Sequence, residues 1–71
     1  MGVETFIPGS SNLDQVTYDS DEKVLTVAFK TGNSYEYRGV PNEVYLALQH
    51  ARSPGSYFYS NIRTRYPYTE V

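Results

Sequence analysis

Tyrosine and arginine are the residues through which this chain could do chemistry. The tyrosines include three pairs two residues apart: Tyr35/Tyr37, Tyr57/Tyr59 and Tyr66/Tyr68. In a strand, positions i and i+2 share a face, so Tyr35 and Tyr37 would form a platform on which unpaired bases stack. In a helix the same spacing is a rotation of about 200°, and Tyr57 and Tyr59 would then face different sides. Arg52, Arg63 and Arg65, together with His50, fall in a stretch from Val44 to Thr69 that holds no acidic residue. Guanidinium groups on phosphates with rings on bases is the composition of a single-strand binder. The candidate nucleic-acid-contacting set is therefore Tyr35, Tyr37, Arg38, Arg52, Arg63 and Arg65. In a domain this small, the same tyrosines more often serve as compact fillers of a thin core, their hydroxyls reaching water.

Charge is divided unevenly. Residues 1–43 carry seven acids and three bases, residues 44–71 three bases and one acid, and the chain as a whole is −2. A net-acidic protein is a poor long-range match for a polyanion, and three arginines give only a shallow salt dependence. A protein partner faces no such penalty. Docking of a partner chain on the outer sheet face, or on a flank carrying Tyr45 and Leu46, is the alternative reading.

Catalytic patterns are sparse. His50 is the one histidine, and the positions that would share its helix face, Leu46, Ala47, Ser53 and Pro54, offer no metal ligand. Asp19-Ser20-Asp21-Glu22 begins like a calcium loop but continues with Lys23 and Val24, where a ligand and a glycine are required. It reads better as a solvated turn. No phosphate-cradling glycine loop and no G-x-S-x-G elbow occurs. Glu36 and Glu43 have no spacing that argues for an acid–base pair. A binding module without catalysis, metal or cofactor is the expectation.

The elements that must position these residues are limited by size. For 71 residues and 8.1 kDa, surface scaling gives a folded accessible area of about 4,500 Å², with about 60% of the unfolded surface buried. That allows one thin core. Hydrophobic residues at 39% and charged ones at 20% fit a globular chain rather than a disordered one. The absence of cysteine excludes a disulfide scaffold and thiolate zinc sites, and points to a reducing cytoplasm. No run approaches the ~18 apolar residues of a membrane helix. The first residues lack the basic flank and apolar stretch of a signal peptide, and the Ser or Thr of a myristoylation signal is missing.

Residues 1–9 read as a flexible leader that ends at the turn-rich Pro8-Gly9-Ser10-Ser11-Asn12. Residues 10–69 then form a single domain. Leu13, Val16 and Tyr18 mark a first strand, closed by the acidic turn. Val24–Phe29 is the clearest strand, with Leu25, Val27 and Phe29 on one face. Ser34–Val40 is the third. Pro41-Asn42-Glu43 opens a helix whose apolar stripe is Val44, Ala47, Leu48 and Ala51. Ser53-Pro54-Gly55-Ser56 breaks it, and Phe58, Ile62 and Tyr66 at steps of four suggest a second short helix that Pro67 stops. The fold class is α+β: a three-stranded antiparallel meander followed by two short helices packed on one sheet face.

Hairpin parity decides where the tyrosines point. If two or four residues bridge Tyr18 and Lys23 in the first hairpin, Val16 pairs with Leu25 and both point to the core. In the second, a three-residue loop Lys30-Thr31-Gly32 pairs Val27 with Tyr35 and brings Tyr35 and Tyr37 to the core face. A two-residue Gly32-Asn33 turn pairs Ala28 with Tyr37 and displays both rings instead. The fit of glycine to a bulge position, and a core short of bulk, favour the first.

Ser10-Ser11-Asn12-Leu13, Tyr18-Asp19, Leu25-Thr26-Val27-Ala28-Phe29, Tyr35-Glu36-Tyr37, Val40-Pro41, Tyr45, Ser53-Pro54-Gly55-Ser56-Tyr57-Phe58, Ile62-Arg63 and Tyr66-Pro67-Tyr68 occur in this order. The ordered set resembles the KTSC domain, over about residues 10–69. That family takes its name from a segment at the C-terminus of some lysyl-tRNA synthetases and also occurs as stand-alone bacterial and phage proteins. The resemblance implies the compact α+β fold and an RNA-binding role. One position departs: the family tends to carry Asn directly after the Tyr-Phe pair, where this chain has Tyr59.

Overall fold

A computed structural model describes residues 2–71. The order of elements is β1 (Val3–Phe6), β2 (Leu13–Asp19), β3 (Val24–Phe29), β4 (Ser34–Arg38), α1 (Asn42–His50), α2 (Pro54–Asn61) and β5 (Tyr68–Glu70). The α+β class and the two helices are as expected, but the sheet has five antiparallel strands in sequence order rather than three. The stretch read as a leader supplies β1, which pairs along β2 from Val3 opposite Asp19 to Phe6 opposite Val16. The C-terminal β5 pairs with β4, with Tyr68 opposite Tyr37 and Glu70 opposite Tyr35. Both added strands are short edge strands. β5 is wholly exposed, and in β1 only Phe6 is half-buried. Neither therefore carries the apolar alternation that reveals a half-buried strand in sequence.

The central hairpins follow from turn chemistry. Asp19 Oδ1 accepts from the backbone N–H of Asp21 at 3.0 Å and Glu22 at 3.2 Å, which closes the β2–β3 turn. Val16 pairs with Val27, rather than with the expected Leu25, and Tyr18 takes Leu25. The register differs by two residues, which leaves every side chain on its expected face. A bulge between Leu13 and Gln15 explains how Leu13 and Val16, three apart, are both buried in one strand. At the β3–β4 turn, Val27 pairs with Tyr35 across the three-residue loop, and Gly32 takes φ +105°, where a Cβ would be strained. Tyr35 and Tyr37 therefore lie on the core face.

Lys23 closes the β2–β3 turn at φ +60°, a left-handed conformation that costs a side-chain-bearing residue energy. Its carbonyl accepts from Val40 N–H, an interaction that does not need the side chain. Lys23→Gly is expected to stabilise the domain by about 0.5–1 kcal/mol and to raise the thermal midpoint by a few degrees. Calorimetry on the purified variant checks this, and an unchanged or lower midpoint contradicts it.

One sheet face carries the core. Leu13, Val16, Tyr18, Leu25, Val27 and Tyr37 meet Val40, Tyr45, Leu48, Phe58 and Ile62 from the helical half. The total accessible area of 4361 Å² agrees with the scaling estimate. In α1 the buried residues are Tyr45 and Leu48, while Ala47 is exposed. The expected stripe is thus rotated, because the Tyr45 ring stacks on Tyr18 at 4.6 Å and 12° and turns the helix toward it. Tyr45 is accordingly removed from the proposed docking flank, where Leu46 alone remains exposed. Helix α2 begins earlier than expected. Ser53 caps it by accepting from Ser56 N–H, and Pro54 occupies the first turn, so the supposed breaker is a start signal. Ile62 and Tyr66 follow its end in a turn held by Tyr66 N–H on the Ile62 carbonyl.

Candidate functional site

The groove of interest lies where the sheet's core face runs out from under the helices. β3 and β4 supply Phe29, Tyr35 and Tyr37, and β5 supplies Tyr68. The opposite wall is Tyr59 from α2, with Arg63 and Tyr66 from the turn that follows it, and Lys30 closes one end from the hairpin. The groove is open to solvent along its length and has a volume of about 910 Å³. A neighbouring recess of about 510 Å³ shares Ser11, Asn12 and Tyr59 with it and is edged by Arg52, Ser53 and Ser56.

The rings are held mostly edge to face. Tyr35 lies 5.7 Å from Phe29 and 5.6 Å from Tyr68; Tyr37 lies 5.2 Å from Phe58 and 5.6 Å from Tyr68. Phe58, fully buried, also supports Tyr59 from below at 5.4 Å. Arg63 sits over the Tyr59 ring with its guanidinium carbon 5.3 Å from the centroid, a cation–π arrangement that leaves its N–H groups free to point outward. Tyr37 forms the floor at 3% exposure, whereas Tyr59 and Tyr68 are exposed on the rim. Burial pushes the Tyr37 hydroxyl's pKa up; the Arg63 charge opposes that shift, and Tyr68, Tyr35 and Tyr59 add to it.

No carboxylate lines the groove, while Lys30 and Arg63 do. A chain of net charge −2 thus has a locally cationic aromatic trough. Of the six sequence candidates, Tyr35, Tyr37 and Arg63 meet here. Arg38 does not: it lies on the other face of the sheet, where it donates to Thr69 Oγ1 at 2.9 Å and sits 3.7 Å from Glu36. Arg52 borders the neighbouring recess, and Arg65 lines neither. In the sequence Lys30 is marked only as a turn residue, and nothing there places Tyr59 and Tyr68 beside Tyr37. Tyr57 and Tyr59 do face different sides, the first half-buried against the core and the second in the groove.

The remaining motif residues hold the scaffold. Ser10 Oγ accepts from Asn12 N–H at 3.1 Å and Leu13 N–H at 3.3 Å, which sets the entry to β2. Gly55 allows that turn to pack on α2, since a Cβ there would stand 3.0 Å from Ser10 Oγ. Ser10 and Gly55 meet in space although they are more than 40 positions apart in sequence.

The family model for the KTSC domain matches residues 9–66. This chain belongs to the KTSC domain family. It is 34% identical over 64 residues to a lysine–tRNA ligase of Trichormus variabilis, covering 90% of this chain and 11% of that protein. It is 43% identical over 49 residues to an uncharacterized protein of Stutzerimonas stutzeri, covering 69% of each. The chain therefore spans about a tenth of the ligase it matches and about two thirds of the second relative. A KTSC domain protein of Yersinia pestis superposes with a TM-score of 0.89 at 25% identity, over 99% of both chains. Among the described residues of this KTSC domain, no helix is long and apolar enough to cross a membrane, and no cluster of three or more His, Cys, Asp or Glu could hold a metal.

Proposed function

We propose that this KTSC domain is a non-catalytic module that binds single-stranded RNA in the aromatic groove. The observation that carries the reading is the gathering of Tyr35, Tyr59 and Tyr68 around one trough with two cations and no acid in its walls. Unpaired bases stack on tyrosine rings regardless of sequence, and Lys30 and Arg63 neutralise phosphates on either side. The kinship with a segment of lysine–tRNA ligases supports the same class of ligand. Two cations in the walls lessen the objection from net charge, because screening limits the reach of most other surface charges to about 8 Å in physiological salt, Glu70 opposite Tyr35 being the near exception.

Fluorescence anisotropy against labelled tRNA and an unstructured RNA strand, at low and then physiological salt, tests the reading. Saturable binding that weakens with salt is expected. The double variant Lys30→Ala, Arg63→Ala should lower affinity and flatten the log–log salt slope by about 0.7 for each phosphate no longer neutralised. Absence of binding at low salt, or an unchanged slope in the double variant, overturns it.

Protein docking remains the second reading, favoured by one observation. The outer sheet face is uncovered and carries Val3 exposed at its β1 edge beside the Thr5–Thr17 hydroxyl pair.

A further inference from the structure

Three of the eight tyrosines are buried, and their hydroxyls are not treated alike. Tyr18 donates to the Val40 carbonyl at 2.6 Å, and Tyr45 donates to Glu4 Oε1 at 3.2 Å. The Tyr37 hydroxyl has no hydrogen-bond partner among the described residues. Yet no buried side-chain oxygen or nitrogen among those residues is sealed away unpaired. The hydroxyl must therefore open onto the groove that Tyr37 lines. The residue is only 3% exposed, and the groove is the recess that it lines.

Resting on the RNA reading above, we propose that Tyr37 is the base-reading residue of the groove, its hydroxyl bonding to the edge of one base held between the rim tyrosines. Stacking on Tyr35, Tyr59 or Tyr68 does not tell bases apart, since every base has a π face. Charge contacts from Lys30 and Arg63 go to phosphates, which carry no sequence. The floor hydroxyl differs in being buried and unpaired within the protein. It can donate or accept, it shares the groove with Arg63 and the rim tyrosines, and a ligand that leaves it unpaired there loses affinity. The rim therefore supplies affinity and the floor supplies preference.

Tyr37→Phe removes only the hydroxyl and breaks no bond within the protein. Affinities of wild type, Tyr37→Phe and Tyr18→Phe for fluorescein-labelled rA8, rC8 and rU8 are measured at low salt, alongside thermal midpoints. Wild type is expected to prefer one oligomer by about 10-fold. Tyr37→Phe should weaken that oligomer about 5- to 10-fold, leave the other two unchanged, and keep or raise the midpoint. Tyr18→Phe, which loses a bond to the Val40 carbonyl, should lower the midpoint and keep the preference. Retained preference in Tyr37→Phe, equal wild-type affinity for all three, or a lowered Tyr37→Phe midpoint each overturns the assignment and leaves RNA binding standing. No wild-type binding to any oligomer removes both.

Discussion

Phe58→Ala is expected to remove about half of the domain's stability and to shift its urea midpoint far down. Phe58 is fully buried and meets three rings, Phe29 at 5.7 Å, Tyr37 at 5.2 Å and Tyr59 at 5.4 Å. Truncating a buried phenylalanine costs about 3–5 kcal/mol, the transfer loss together with the cavity left behind. A domain of this length has a total stability of only about 4–10 kcal/mol. Phe58 joins the sheet to the α2 wall of the groove through rings on both sides, so local collapse cannot replace it. Urea denaturation followed by far-ultraviolet circular dichroism checks this. A midpoint close to that of wild type would mean that the helices and sheet hold together without it. Phe58→Leu, which retains most of the volume, should show a much smaller loss.

Raising the pH above about 10 is expected to destabilise the fold steeply. Burial, the nearby Glu4 charge and the hydrogen bond to Glu4 push the Tyr45 hydroxyl up to about 12. Burial also raises Tyr18, with Asp19 adding to the effect. The folded state therefore keeps these protons more tightly than the unfolded chain, whose tyrosines ionise near about 10. Below that pH both states are protonated and the stability is fully present. Between about 10 and 12 the unfolded state ionises first, and Tyr45 alone withdraws roughly 2–3 kcal/mol. Tyr45→Phe loses about 1 kcal/mol at neutral pH with its bond to Glu4. In return it should show a visibly shallower decline between about pH 9 and 12. Parallel declines in the two proteins would place the alkaline transition elsewhere.

Both effects arise from the same physical circumstance, a small core filled with tyrosine. A chain with no tryptophan and three phenylalanines must use tyrosine as bulk, and each hydroxyl sealed from solvent then needs a partner. Tyr18 and Tyr45 find theirs in the Val40 carbonyl and Glu4. Glu4 lies in the N-terminal segment, so strand β1 is tied to α1 by the polar bond that burial of Tyr45 demands.

What the sequence determined by itself is what local physics decides. Alternation in Val24–Phe29, the Asp19 turn, glycine at position 32 and the spacing of Tyr35 and Tyr37 set the central hairpins and their faces. They do so because strand parity and turn type need only neighbouring residues. Ser53 and Pro54 also carried a legible start signal for α2, one easily mistaken for a break because Gly55 follows. Tertiary structure alone decided the rest. Strands β1 and β5 exist because the free edges of β2 and β4 accept them, not because Val3–Phe6 or Tyr68–Glu70 alternate. The rotation of α1 was set by Tyr45 stacking on the ring of Tyr18, far away along the chain. The groove needed Tyr68 brought beside Tyr37 and Arg63 laid over Tyr59, arrangements that no strand or helix periodicity encodes. Arg38 was separated from Tyr37 by the same parity that joined Tyr35 to it, since adjacent residues of a strand point to opposite faces.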